Sequence, residues 1–143
     1  MDTGVWLTKS RADIRIQCLC IDTNDPAKTA QFWQAALGWR RTFDEEDQIV
    51  LEPPEGSPED GIVPDLLFLR VPETKAVKNR LHLDVHASGR RAVPIESRRQ
   101  RVDAEARRLS DLGATMAGIL TEEGIDHYAV AMKDPEGNEF DIN

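Results

Sequence analysis

Basic charge, cysteine and long apolar stretches are all scarce in this chain, and each shortage excludes something. Lys and Arg number 18 against 26 Asp and Glu, giving a net charge of −8. A phosphate backbone is bound through a basic footprint, so a nucleic-acid partner is excluded. No apolar run approaches the length of a membrane span, which removes a membrane partner. The first ten residues have neither a basic start nor an apolar stretch of leader length, and a cytoplasmic location is expected. Cys18 and Cys20 are the only cysteines. Two residues apart on a strand, they point the same way and could bridge each other only with strain. That argues against a disulfide scaffold and fits a reducing compartment.

What remains is an ordinary composition, 40% apolar and 31% charged over 143 residues. It suits one domain, or two small modules sharing a core. Residues 15–21 read as a strand. Asp25 is a good helix N-cap, Pro26 suits the first turn and Gly38 the residue after the last. Between them Ala30, Trp33 and Leu37 recur at helical spacing. Short strands follow at 39–43 and 48–52, then a Pro- and Gly-rich acidic loop at 53–64 read as a solvated connection, then a strongly apolar strand at 65–71. The second half repeats this order. A strand at 80–86 precedes a helix over 98–112, opened by a Ser97–Gln100 capping box and closed by Gly113 directly after a leucine. Strands at 115–120, 127–133 and 139–142 complete it. Each half is strand, helix, Leu-Gly and three strands, a hidden repeat that is a strong fold signal. The expected fold is therefore α+β: two tandem βαβββ modules (11–72 and 79–143) in a single domain over 11–143. They would make a curved mixed sheet with a concave pocket. Residues 1–10 would form an N-terminal extension.

Two segments carry a family resemblance: the run from Asp25-Pro26 through Phe32-Trp33 to Leu37-Gly38-Trp39, and Asp134-Pro135-Glu136-Gly137-Asn138-Glu139-Phe140-Asp141. Together they resemble the vicinal oxygen chelate superfamily, in particular its glyoxalase-like and bleomycin-resistance-like members. The resemblance implies the same paired-module fold, a homodimer, and a small-molecule ligand in a concave pocket. Metal-dependent relatives place four ligands on four strands. Aligned on the two segments, those slots fall on Cys18, His82 and Asp141, with the fourth inside residues 67–69, where every side chain is apolar. The resemblance thus leaves a divalent metal open as a cofactor, with Cys18, His82 and Asp141 as its ligands.

Strand alternation gives a separate reading of the faces. Leu81, Leu83 and Val85 share one face of their strand; His82, Asp84 and His86 share the other. In the last strand Phe140 and Ile142 oppose Glu139, Asp141 and Asn143. If the apolar faces lie under the helices, His82 and Asp141 both look into the concavity, although polar faces of this kind also simply meet water. Asp84 and Asp141 are the candidate catalytic carboxylates. His82, Asp84, Trp39, Phe68 and Tyr128 are the candidate ligand-binding residues, the aromatics as apolar walls with a polar rim. Each aromatic is equally a candidate for ordinary core. A basic concentration at Arg90, Arg91, Arg98, Arg99, Arg101, Arg107 and Arg108 reads as a solvated, ion-paired face. The functional expectation is a glyoxalase-like pocket protein that sequesters a small molecule without metal. The alternative is a metal-dependent lyase or isomerase working through an enediolate-type intermediate.

Overall fold

The computed structural model describes residues 14–89, 92–124 and 126–143; the expected N-terminal extension, Arg90 and Arg91 lie outside them. Module one runs β1 (Cys18–Thr23), α1 (Pro26–Leu37), β2 (Arg40–Asp44), β3 (Gln48–Glu52) and β4 (Asp65–Arg70). Module two runs β5 (Leu83–Val85), α2 (Ile95–Asp111), β6 (Thr115–Leu120), β7 (Ala129–Lys133) and β8 (Glu139–Ile142). Each module builds its own four-stranded mixed sheet, in the orders β1-β4-β3-β2 and β5-β8-β7-β6. In both, the first strand runs parallel to the last and the remaining pairs are antiparallel. The expected paired βαβββ architecture is present.

The local chemistry of α1 is as the sequence suggests. Asp25 accepts a hydrogen bond from the Lys28 N–H at 3.1 Å, Pro26 occupies the first turn, and Gly38 ends the helix with φ 69° and ψ 26°. That left-handed conformation is nearly free only for glycine. Helix α2 departs from expectation. It begins at Ile95 behind Pro94, with no side-chain cap, so Ser97 lies inside the first turn rather than capping it. The chain enters the helix through Pro94, at φ −55° and ψ 144°, three residues before Ser97.

One apolar core joins the modules. Ile49, Leu51, Leu66 and Phe68 from sheet one, and Val130, Met132, Phe140 and Ile142 from sheet two, are buried with Trp33, Val102, Ala106 and Leu109 from the helices. The junction is made by α1. The Trp33 ring meets the Phe140 ring edge-on, with centroids 4.8 Å apart. Its indole Nε1 donates to Asp134 Oδ2 at 2.9 Å, in a buried contact 101 residues distant in sequence. Asp134 also accepts the backbone N–H groups of Glu136 and Asn138. From α2, Arg108 donates to the Ala35 and Ala36 carbonyls at the end of α1. Asp134→Ala leaves four donors without their acceptor, one of them the indole N–H in a buried contact. It should cost on the order of 3 kcal/mol, read as a lower midpoint in denaturant unfolding.

Candidate functional site

The site lies on the sheet face turned away from the helices. On β8 the buried residues are Phe140 and Ile142, while Glu139 and Asp141 are only partly covered. On β5, Asp84 is exposed between half-buried Leu83 and Val85. Parallel pairing sets Asp84 directly beside Asp141. Like charges opposed across two strands are destabilising unless a cation joins them. His82 is their common neighbour: its Nε2 lies 3.2 Å from Asp84 Oδ1 and 3.4 Å from Asp141 Oδ2. Ligand atoms of His82, Asp84 and Asp141 all fall within 4.8 Å of one another. The cluster is open, its side chains 44%, 58% and 24% exposed respectively.

Small residues continue the rung beyond the carboxylates. Asp141 pairs with Ala131 on β7, and Ala131 with Gly118 on β6. A Cβ added at Gly118 would meet nothing within 4 Å. A floor of Ala and Gly therefore borders the cluster, leaving space above it.

Glu139 shares this face, and its part could not be read from the sequence. Its carboxylate accepts from the Asn79 N–H at 3.0 Å and pairs with Lys75 at 3.2 Å. Those residues belong to the connection between the modules, which leads directly to His82. His82 lies just before β5 rather than inside it, because the strand is confined to Leu83–Val85; Leu81, expected to share a buried face with Leu83, is 84% exposed. The Glu139 tether is thus what holds the segment carrying His82. Only an alignment of the linker with β8 could have suggested it, and nothing in the spacing does.

The remaining candidates are scattered. Cys18 is exposed on β1 and is not among the clustered donors. Phe68 is fully buried: the phase of β4 turns it and Leu66 toward α1, so Leu67 and Leu69 face the open side. Trp39 is core as well. Tyr128 is 9% exposed and borders a cavity of about 460 Å³ that also meets His86, His127 and Asn143. Its hydroxyl donates to Asp103 at 2.6 Å, which raises its pKa above the usual tyrosine value and keeps it protonated. At the start of α2 the basic face is satisfied internally. Arg98 is buried against Asp126, with Nη2 to Oδ1 at 2.5 Å, and Arg99 lies 5.2 Å from the Tyr128 ring centroid.

The profile of the glyoxalase-like domain family matches residues 18–143. The chain belongs to that family. Comparison with curated proteins returns no match. Solved structures with the same fold include a glyoxalase/bleomycin resistance protein/dioxygenase family enzyme from Burkholderia phytofirmans, 19% identical, covering 91% of this chain and 98% of its own, at a TM-score of 0.66. A mutant fosfomycin resistance protein from Listeria monocytogenes, complexed with manganese(II) and a dihydroxypropylphosphonic acid, is 11% identical, with coverages of 93% and 90% and a TM-score of 0.65. A bleomycin-binding protein from Streptomyces verticillus, complexed with copper(II)-bleomycin, is 13% identical, with coverages of 93% and 98% and a TM-score of 0.57.

Glu139 generates a pH prediction. The Asn79 hydrogen bond outweighs the opposing cost of burial and, with help from Lys75, lowers its pKa below the ordinary 4.5. A group with a depressed folded pKa contributes stability above its unfolded value and loses it as pH falls through the folded one. Glu139→Gln should therefore remove part of the stability loss seen on acidification below pH 4.5. Thermal unfolding of both proteins across that range reads the difference.

Proposed function

We propose that the chain binds a small, oxygen-bearing molecule on the open face of module two, anchored by a divalent cation held by His82, Asp84 and Asp141. The observation that carries this reading is the pair of Nε2-to-carboxylate separations, 3.2 and 3.4 Å. Metal–ligand bonds of about 2.1 Å put neighbouring donors of a tetrahedral shell ~3.4 Å apart, so the imidazole stands at coordination-shell spacing from each carboxylate, with all three donors within 4.8 Å of one another. Two carboxylates and an imidazole are also a donor set that borderline and harder divalent ions accept. Such an ion would act as a Lewis acid on ligand oxygens.

The chain's own residues do the rest. Asp141, the least exposed of the three, and His82 fix the site. Asp84, the most exposed, would hold the ion through one oxygen and offer the other to a proton from a ligand. Ala131 and Gly118 leave room for the ligand beside them. The fosfomycin resistance neighbour, described with manganese(II) and a phosphonate, supports a cation-anchored reading over a wholly apolar one. Metal-free sequestration, the other reading, is favoured by the half-buried Leu67 and Leu69 on the open face of module one.

Two further parts of the reading are a homodimer and a cytoplasmic setting. Strand β6 is exposed along its whole length and forms an outer sheet edge. Such an edge needs covering, and a second copy would do so. Two free, exposed thiols persist in a reducing compartment. Among the described residues no helix is long and apolar enough to cross a membrane.

Titration calorimetry with manganese(II) or zinc(II) should give one ion per chain. His82→Ala should abolish uptake, and Asp84→Asn should weaken it about tenfold or more, or ~1.4 kcal/mol. Gly118→Trp should leave ion uptake intact but reduce binding of oxalate, a two-oxygen probe, to the loaded protein. Wild-type protein that takes up neither ion returns the reading to metal-free sequestration. Sedimentation at micromolar concentration should find a dimer.

A further inference from the structure

Module one offers a different donor set on its own open face. Leu19 and Ile21 of β1 pack against the core, so alternation turns Cys18, Cys20 and Asp22 to the opposite side, where all three are exposed. Strand β1 is an edge of its sheet, paired only with β4. Its register sets Cys18 beside Asp65 and Cys20 beside Leu67. Two sulfurs therefore stand in a row on a rigid strand, with carboxylates at either end.

We infer that Cys18 and Cys20 together clamp a single copper(I) ion, in a site separate from the His82 cluster. The argument is one of distance and softness. Residues i and i+2 on a strand lie about 6.6 Å apart with nearly parallel Cα–Cβ bonds. A disulfide needs Cβ atoms about 3.5–4.5 Å apart, so the two cannot bridge while β1 stays paired to β4. Two thiolates opposed across one soft ion, with bonds of about 2.3 Å, need a sulfur separation of only ~4.6 Å. Inward rotation of each sulfur about its Cα–Cβ bond supplies that without moving the backbone. Thiolates select copper(I), whereas the carboxylates and imidazole of module two suit harder ions. Binding displaces one proton from each thiol to solvent and forms two sulfur–copper bonds, with no change of oxidation state.

Burial first, then the charges of Asp22 and Cys18, push the Cys20 thiol pKa up. That shift opposes uptake, since the proton must leave before a sulfur–copper bond forms, so the pairing of two thiolates on one ion has to outweigh it. Asp22 and Asp65 add negative potential around the pair and favour cation entry.

The inference does not rest on the module-two reading, and one experiment separates them. The full reduced chain is titrated anaerobically with copper(I) in competition with bicinchoninate. One copper per chain is expected. Cys18→Ser and Cys20→Ser, near-isosteric changes at exposed positions, should each abolish competitive uptake while leaving circular dichroism unchanged. His82→Ala should retain it. Uptake that survives either serine substitution, a stoichiometry of one copper per two chains, or no uptake by the wild type would each overturn the assignment.

Discussion

The molecule depends on the seating of one indole. Trp33 is the side chain through which module one enters the core of module two, packing on Phe140 while its N–H is held by Asp134. A buried N–H without a partner costs more than a hydrogen bond contributes when made, so the position of Asp134 is not optional. Asp134 in turn shapes the turn that starts β8, through the N–H groups of Glu136 and Asn138. Glu136 reaches back to the Asn24 N–H beside α1. The module junction and the strand that carries Asp141 are therefore one structure.

The two open faces differ in kind. Module two presents carboxylates and an imidazole over a floor of Ala131 and Gly118. Module one presents two thiols and the leucines Leu67 and Leu69. Both sheets have the same topology, with a parallel first-to-last pairing that places the residues of the first strand beside those of the last. Chemistry at the first-to-last pair is thus set by which residue types occupy equivalent rungs. In module two those are Asp84 and Asp141. In module one the corresponding neighbours are a thiol and an aliphatic side chain, Cys20 and Leu67. The same scaffold presents hard donors on one open face and soft donors on the other.

Much of the fold was legible because it is written in local chemistry. The cap at Asp25, the glycine after Leu37 and the period of each strand need no distant partner to be read. The repeat made the paired modules visible, and the family profile agrees. Where local reading failed, a neighbour of the same segment had replaced the expected device. Pro94 starts α2, so Ser97 is not a cap. The strand expected over 80–86 shrinks to Leu83–Val85 because only those residues find hydrogen-bonding partners on β8. Phe68 illustrates the ambiguity of an all-apolar strand. With no polar residue to mark the open side, its phase could not be assigned until α1 was seated on it.

The sequence by itself put Asp84 on the polar side of its strand and Asp141 opposite Phe140 and Ile142 on another, since successive side chains along a strand alternate whatever the fold. Only the tertiary structure decided that they meet. That required parallel pairing of strands more than fifty residues apart, which brings Asp84 against Asp141. It also required the Glu139 tether that holds the linker next to His82. The same pairing left Cys18 out of the cluster, because β1 found its partner in β4 instead of in module two. Period is a property of the backbone and can be counted; register and docking are chosen by whichever long-range contacts bury the core best, and no spacing in the chain records that choice.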